Sequence, residues 1–218
     1  MNHRPRVLLA DDHAMLLEAF KRLLEPDCEV VGTVTDGRAL LEAAPRLKPE
    51  VIVLDIAMPR LNGLDAGRQL RRILPESKLV FLTSNEDPDL AVAAFRAGAS
   101  GYLLKNSASS ELFTAIQNAL AGKIYLTPLI SKGVPMGVFL GQDTKLDLEA
   151  GQLTTRQREV LQLLAEGRPM KEVADVLKVT PRTVAFHKYT IMEHLGINTS
   201  AELVQYAVHH GLVQNRRA

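Results

Sequence analysis

The sequence predicts a doubly wound α/β domain, a five-stranded parallel sheet with helices on both faces, followed by an all-α domain of four helices. Three observations predict it. Over residues 1–121, short apolar runs alternate with segments whose apolar residues recur at helical spacing, the pattern of βαβ units. Over residues 152–218 the helical spacing persists while the strand-like runs disappear. Between them, residues 122–151 lose periodicity and are punctuated by Pro128, Gly133, Pro135, Gly137 and Gly141, which marks a linker.

Composition sets the outer limits. A chain of 218 residues can hold two cores of ordinary size, and 46% apolar with 23% charged residues is globular composition. No apolar run approaches the roughly 18 residues of a membrane span, and the opening MNHRPRVLLA is too short for a signal peptide, so a cytoplasmic protein with no membrane partner is expected. Cys28 has no second thiol to pair with and reads as structural. The formal net charge of +1 hides an asymmetry: residues 1–121 carry 14 Lys and Arg against 16 Asp and Glu, residues 151–218 carry 9 against 6. Four of the six histidines also lie in the second part, which points weakly to an anionic partner there.

In the first part, residues 6–10 (RVLLA) form a strand ending in Asp11 and Asp12, and residues 14–24 a helix. Residues 29–34 are a second strand and 38–47 a second helix, broken by Pro45. The third strand, the β-branched run VIVL at 51–54, is fully buried by composition and delivers Asp55; Pro59 and Gly63 then mark a loop. A helix over 64–74 stops at Pro75, a fourth strand over 79–82 delivers Thr83 and Ser84, and a helix over 89–97 stops at Gly98. Residues 102–104 are a fifth strand delivering Lys105, before a last helix over 110–121.

Asp55 alone reads equally as a ligand group or as a cap of the following turn. Taken together, however, Asp11, Asp12, Asp55, Thr83 and Lys105 all fall at the carboxyl edge of one sheet, where open α/β sheets bind ligands. Crowded carboxylates repel one another unless a hard divalent cation sits among them, and oxygen ligands suit Mg²⁺. With a lysine charge and a threonine hydroxyl beside them, they are equipped for phosphoryl transfer.

On these residues the first part resembles the receiver domain of two-component response regulators, with a flavodoxin-like fold: the Asp11-Asp12 pair, Asp55 followed by Met58, Pro59 and Gly63, Thr83-Ser84, and Tyr102 three residues before Lys105. The resemblance implies that Asp55 is the phosphoacceptor for a sensor histidine kinase. It also implies that Asp12, Asp55 and the backbone carbonyl of Ala57 ligate Mg²⁺, with Asp11 acting through water. Thr83 and Tyr102 would form a switch pair with Lys105 at the site. An ordinary half-exposed strand tyrosine is the alternative for Tyr102. Proline often follows the lysine in receivers, but here it is Asn106, so no cis bond is assumed.

In the second part, Thr154 with Gln157 forms a capping box that opens an amphipathic helix closed by Gly167. Pro169 suits the first position of a short second helix through Leu177. Lys178 and Val179 turn the chain to Thr180, an N-cap, with Pro181 first in a helix to about residue 195. Thr199 with Glu202 is a second capping box, opening a fourth helix to about residue 210. The middle pair is a helix-turn-helix. Val184, Ile191 and Leu195 can face a core, which leaves Arg182, Thr183, Phe186, His187, Lys188 and Tyr189 outside, either as a solvated basic face or as a face for nucleic acid.

The segments LTTRQREVLQLLAEG, KEVADVL and TPRTVAFHKYTIMEHLG resemble the LuxR-type output domain, so nearly the whole chain resembles response regulators of the NarL/FixJ class. Gln157 and Pro169-Met170 depart from the commoner pattern. The resemblance implies that Ala185, Phe186 and Tyr189 lie toward base edges with His187 and Lys188 alongside, and that Lys171, Thr180, Arg182 and Thr183 lie toward phosphates of double-stranded promoter DNA. Leu203, Val204, Tyr206 and Ala207 of the last helix would form the surface of a homodimer, when phosphorylated or DNA-bound. The expected function is phosphorylation-dependent transcription regulation, with no enzymatic turnover beyond Mg²⁺-dependent self-phosphorylation and slow autodephosphorylation. An aspartate phosphotransferase is the rival reading, but it needs an acid two residues after the nucleophile, and Ala57 cannot serve. A regulator binding a small ligand and an output domain binding protein are the other rivals. Two inactive states fit the sequence: one closed by contact between the domains, the other merely monomeric.

Overall fold

The computed structural model describes residues 3–131 and 153–213, so most of the expected linker lies outside the described residues. Six parallel strands form one sheet in the order β2-β1-β3-β4-β5-β6. They are β1 (Arg6–Ala10), β2 (Glu29–Val34), β3 (Val51–Asp55), β4 (Lys78–Thr83), β5 (Ala99–Leu104) and β6 (Tyr125–Leu126). The sixth strand corrects the expected five. It has two residues, Tyr125 and Leu126, paired with Gly101 and Tyr102, and so short a segment shows no periodicity in the sequence.

Helices cover both faces. On one, α1 (Ala14–Leu24) and α5 (Ala108–Leu120) pack Leu17, Phe20, Leu112 and Ile116 onto Val7, Val53 and Val80. On the other, α2 (Gly37–Leu47), α3 (Gly63–Ile73) and α4 (Pro88–Arg96) pack Leu40, Leu64, Leu70 and Leu90 onto Leu8, Ile52 and Phe81. Every residue of β3 is buried, as expected of a central strand covered on both faces. Helix α2 is not broken at Pro45. The proline sits in the last turn, and the chain leaves the helix at Lys48, whose φ is 46° and whose N–H donates to the Ala44 carbonyl. After β6, a single turn, α6 (Pro128–Ser131), buries Ile130 against the sheet and its helices.

The second domain is four helices: α7 (Thr155–Ala165), α8 (Met170–Leu177), α9 (Pro181–Leu195) and α10 (Ser200–His209). Both expected capping boxes close, at Thr154 with Gln157 and at Thr199 with Glu202. Pro169 stands one position before its expected place, as the N-cap residue of α8 with no side-chain bond. The α8–α9 turn passes through Lys178 in the left-handed region, φ 54°, and the Thr180 hydroxyl accepts from Thr183 N–H. Val160, Leu161, Leu163, Val173, Leu177, Val184, Ile191, Leu203 and Ala207 make the core.

Candidate functional site

The strand order places the carboxyl ends of β1, β3, β4 and β5 side by side, where they deliver Asp11 with Asp12, Asp55, Thr83 and Lys105. Asp11 and Asp55 are 1% exposed and Thr83 is 4% exposed, so the pocket is desolvated on three sides. Lys105 Nζ lies 2.8 Å from Asp11 Oδ2 and 2.9 Å from Asp55 Oδ2. The lysine is carried to them because Lys105 N–H continues the sheet, donating to the Thr83 carbonyl at 2.7 Å. Asp12 turns toward the rim, and His13 Nδ1 stands 3.0 Å from Asp11 Oδ1 and 2.8 Å from Asp12 Oδ1.

Burial raises the Asp55 pKa above the ordinary carboxylate value, against the Lys105 charge and the Ala57 N–H; Asp11 adds to the rise. Burial also works against the Lys105 ammonium, but the charges of Asp55 and Asp11 outweigh it and hold that group above its usual value. The arrangement is short of positive charge. Asp11 Oδ2 and Asp55 Oδ2 share the one Lys105 ammonium, and Asp12 Oδ1 has the half-exposed His13 ring. Asp11, Asp12, His13 and Asp55 each offer an atom within 4.8 Å of the others, and the oxygens suit a hard divalent cation. Sequence reasoning missed His13, whose only signal is its place after the acidic pair.

Tyr102 is fully buried, packed with Leu104, Leu126 and Ile130, rather than half-exposed on the strand. Burial, helped by the charge of Asp87, pushes its phenol well above the usual range. The Thr83 hydroxyl oxygen accepts from Asn85 N–H at 3.0 Å, and the Thr83 side chain also meets the Tyr102 phenol, whose rise it partly opposes.

On the second domain, Phe186 and Tyr189 of α9 are 66% and 65% exposed, large rings held in water on a helix whose other face is core. Arg182 is exposed at the helix start, with Lys171 and Thr180 also exposed nearby in the fold's helix-turn-helix. Thr183, Ala185, His187 and Lys188 are half-buried, and Lys188 Nζ donates to Ser200 Oγ at 3.1 Å. The His187 ring meets Phe186 edge-on, with centroids 5.7 Å apart.

Residues 7–117 match the family described as "Response regulator receiver domain", and residues 151–207 match "Bacterial regulatory proteins, luxR family". The chain is a response regulator. It belongs with the NarL/LuxR-type members, DNA-binding transcription regulators that join these two domains. It is 35% identical to the transcriptional regulatory protein MctR of Rhizobium johnstonii over 98% of each chain. It is 32% identical to the response regulator GacA of Pseudomonas aeruginosa over 95% of this chain and 97% of that one. Among solved structures, RcsB of Salmonella typhimurium superposes with a TM-score of 0.63 at 27% identity, covering 96% of this chain and 99% of that one. An RcsB–DNA complex matches with a TM-score of 0.58 at 27% identity, over 94% and 98% of the two chains.

One expected surface of this response regulator needs correction. Leu203 and Ala207 of α10 are 2% and 0% exposed, because they pack into the output-domain core and cannot face a partner. Val204 stays exposed at 37% and Tyr206 is half-buried. Among the described residues no helix is long and apolar enough to cross a membrane.

Proposed function

We propose that this response regulator is switched by phosphorylation of Asp55 by a sensor histidine kinase in the cytoplasm, and that the switch controls homodimer binding to promoter DNA. The observation that carries this reading is the set of buried carboxylates gathered around the single ammonium of Lys105, in the same chain as an exposed basic and aromatic helix face. An Asp55 oxygen forms the new O–P bond while the N–P bond of the donor phosphohistidine breaks, and the imidazole nitrogen leaves with the bonding pair. Lys105 moves its charge from the Asp55 carboxylate to the phosphoryl oxygens, and the Thr83 hydroxyl donates to one of them. Asp12, Asp55 and the Ala57 carbonyl would hold Mg²⁺, with Asp11 through water; bound there, it would neutralise charge on the phosphoryl oxygens. The ring of Tyr102 already lies inward, so the Thr83 half of the switch pair has the change to make.

Arg182, Thr183, Lys171 and Thr180 are assigned to phosphates, and Ala185, Phe186 and Tyr189 to the base-edge side with His187 and Lys188 alongside. Neither Ala185 nor Phe186 has a hydrogen-bonding side chain, so DNA shape contributes to recognition. Solved structures of RcsB in a DNA complex and as dimers bound to DNA support the pairing of two protomers. Val204 and Tyr206 remain the α10 residues available for that pairing.

The test incubates the protein with Mg²⁺ and acetyl phosphate beside Asp55→Asn, and follows label, dimerisation and promoter-fragment binding. Label is expected on the wild type alone, with tighter dimerisation and DNA binding. Equal labelling of the variant sinks the site assignment.

A further inference from the structure

The receiver meets the output domain through α7, where Gln162 Nε2 donates to the Met58 carbonyl at 2.9 Å and Gln162 Oε1 accepts from Asn62 N–H at 2.8 Å, in the loop between β3 and α3. The outer side of α9 is left in water. Arg182, Phe186, Tyr189 and Glu193 are exposed there, at the i, i+4, i+7, i+11 spacing that makes one stripe along a helix. Phe186 and Tyr189 stand at 66% and 65% exposed, two large rings side by side that packing within the chain does not use.

The polar side chains around that stripe are engaged inside the domain. Lys188 Nζ donates to Ser200 Oγ at 3.1 Å, and Thr190 Oγ1 donates to the Phe186 carbonyl at 2.9 Å. The Thr180 and Thr183 hydroxyls lie 2.9 Å apart and bond to each other. Ala185 has no polar side-chain atom. The half-buried His187 ring meets Phe186 edge-on at 5.7 Å, which restrains the Phe186 ring before any partner arrives. Beyond Arg182 at the helix start, the stripe therefore offers a base edge mainly two apolar surfaces and the Tyr189 hydroxyl.

In the major groove, the apolar group that a base edge presents is the 5-methyl of thymine. Residues three apart on a helix have Cβ atoms about 5–6 Å apart. That distance is one to two base steps of about 3.4 Å each. The charge around the rings also suits a nucleic-acid backbone, since Lys171, Lys178 and Arg182 are exposed around the helix-turn-helix. Glu193, one turn beyond Tyr189, carries the charge that phosphates repel and keeps the contact toward the helix start.

We propose that Phe186 and Tyr189 read the 5-methyl groups of thymines one or two base steps apart, so that α9 specifies its site by a methyl pattern more than by hydrogen bonds to base edges. This rests on the reading of α9 as the helix that enters the major groove. It goes beyond that reading by naming the group on the DNA that each ring recognises.

The test selects duplexes from a random library with the full chain in acetyl phosphate and Mg²⁺, by rounds of binding and amplification. The enriched sequence is then made with uracil in place of thymine at one position at a time, which removes the methyl and keeps the base pair. Affinity is read by fluorescence anisotropy of the labelled duplex. Uracil is expected to weaken binding about fourfold at one or two positions, the factor for burying one methyl group, and to change nothing elsewhere. At those positions 5-methylcytosine should bind about fourfold tighter than cytosine. Phe186→Ala and Tyr189→Ala should each erase the difference between thymine and uracil at one position, and Phe186→Leu should keep part of it; circular dichroism checks that each variant is folded. Equal binding of thymine and uracil duplexes at every position overturns the proposal. So does a methyl effect that persists in both alanine variants, because it then acts through the stiffness of the DNA, or a loss of dimerisation in Phe186→Ala with the methyl effect intact, because the rings then cover a second copy of the chain. If no duplex is enriched, the reading of α9 as the major-groove helix fails and takes the proposal with it, whereas enriched duplexes blind to the methyl sink the proposal alone.

Discussion

The acidic pocket and the outer face of α9 obtain their chemistry in opposite ways. In the pocket, Asp11, Asp55 and Lys105 come from three different strands, and their charges compensate one another at 8% side-chain exposure or less. On α9, Phe186 and Tyr189 stand about two-thirds exposed on one helix. The pocket needs desolvation, which makes each charge strong and each misplacement costly. The α9 face needs a partner from outside, and until one arrives its residues contribute little to the fold. Substitutions should therefore damage stability in the first region and binding alone in the second.

The largest effect is expected where the backbone itself is crowded. A Cβ at Gly63 would stand 2.1 Å from the Asp55 carbonyl oxygen, so Gly63→Ala must shift either α3 or the strand end. Overpacking of this kind is expected to cost about 3 kcal/mol or more, read from the urea midpoint. A wild-type midpoint would show that the strand end is not rigidly held. Next, Lys105→Met leaves Asp11 and Asp55 buried without their cation and is expected to cost about 3 kcal/mol in the absence of divalent ions. Added Mg²⁺ should restore part of it; no recovery across a titration would count against a cation site among these carboxylates.

On α9 the order of effects reverses. Phe186→Ala should leave thermal stability within about 0.5 kcal/mol while weakening promoter binding, and a loss of stability with unchanged affinity would refute its place on the reading face. Lys188→Ala should weaken binding to every DNA sequence and lower the salt slope by about 0.9, the signature of one phosphate contact. Loss of discrimination at an unchanged slope would instead make it a base reader. The smallest effect belongs to the cap of α10. The N–H groups of Asn198 and Thr199 hold the Glu202 carboxyl below its ordinary value. A carboxylate whose folded pKa is depressed contributes stability above its unfolded pKa and loses it as pH falls through the folded one. The α10 start should therefore fray as the solution is acidified below the usual glutamate range, and Glu202→Gln should abolish that dependence in amide exchange.

Much of the sheet was legible because β3 and its neighbours are short runs bounded by prolines, glycines and carboxylates. The capping boxes at Thr154 and Thr199 were legible for the same local reason. Strand β6 was not, since two residues carry no period, and Pro45 misled because a proline in a last helical turn removes little. Leu203 and Ala207 were assigned to a surface by resemblance, and the apolar stripe that carries them can face a core or a partner equally well. Gln162 was hidden in the apolar run VLQLLA, where its only signal is a polar residue among leucines.

What the sequence by itself determined is the order of the elements and the residue each strand end delivers, because periodicity, turn residues and caps are local properties. The pocket's composition, Asp11, Asp12, Asp55, Thr83 and Lys105, follows from that order. Only the tertiary structure decided which groups are short of partners, which way Tyr102 lies, and that the polar face of α7 closes on the β3–α3 loop. Those depend on burial and on donors and acceptors meeting across more than a hundred residues, from Met58 to Gln162, and no local pattern records which distant group will complete a hydrogen bond.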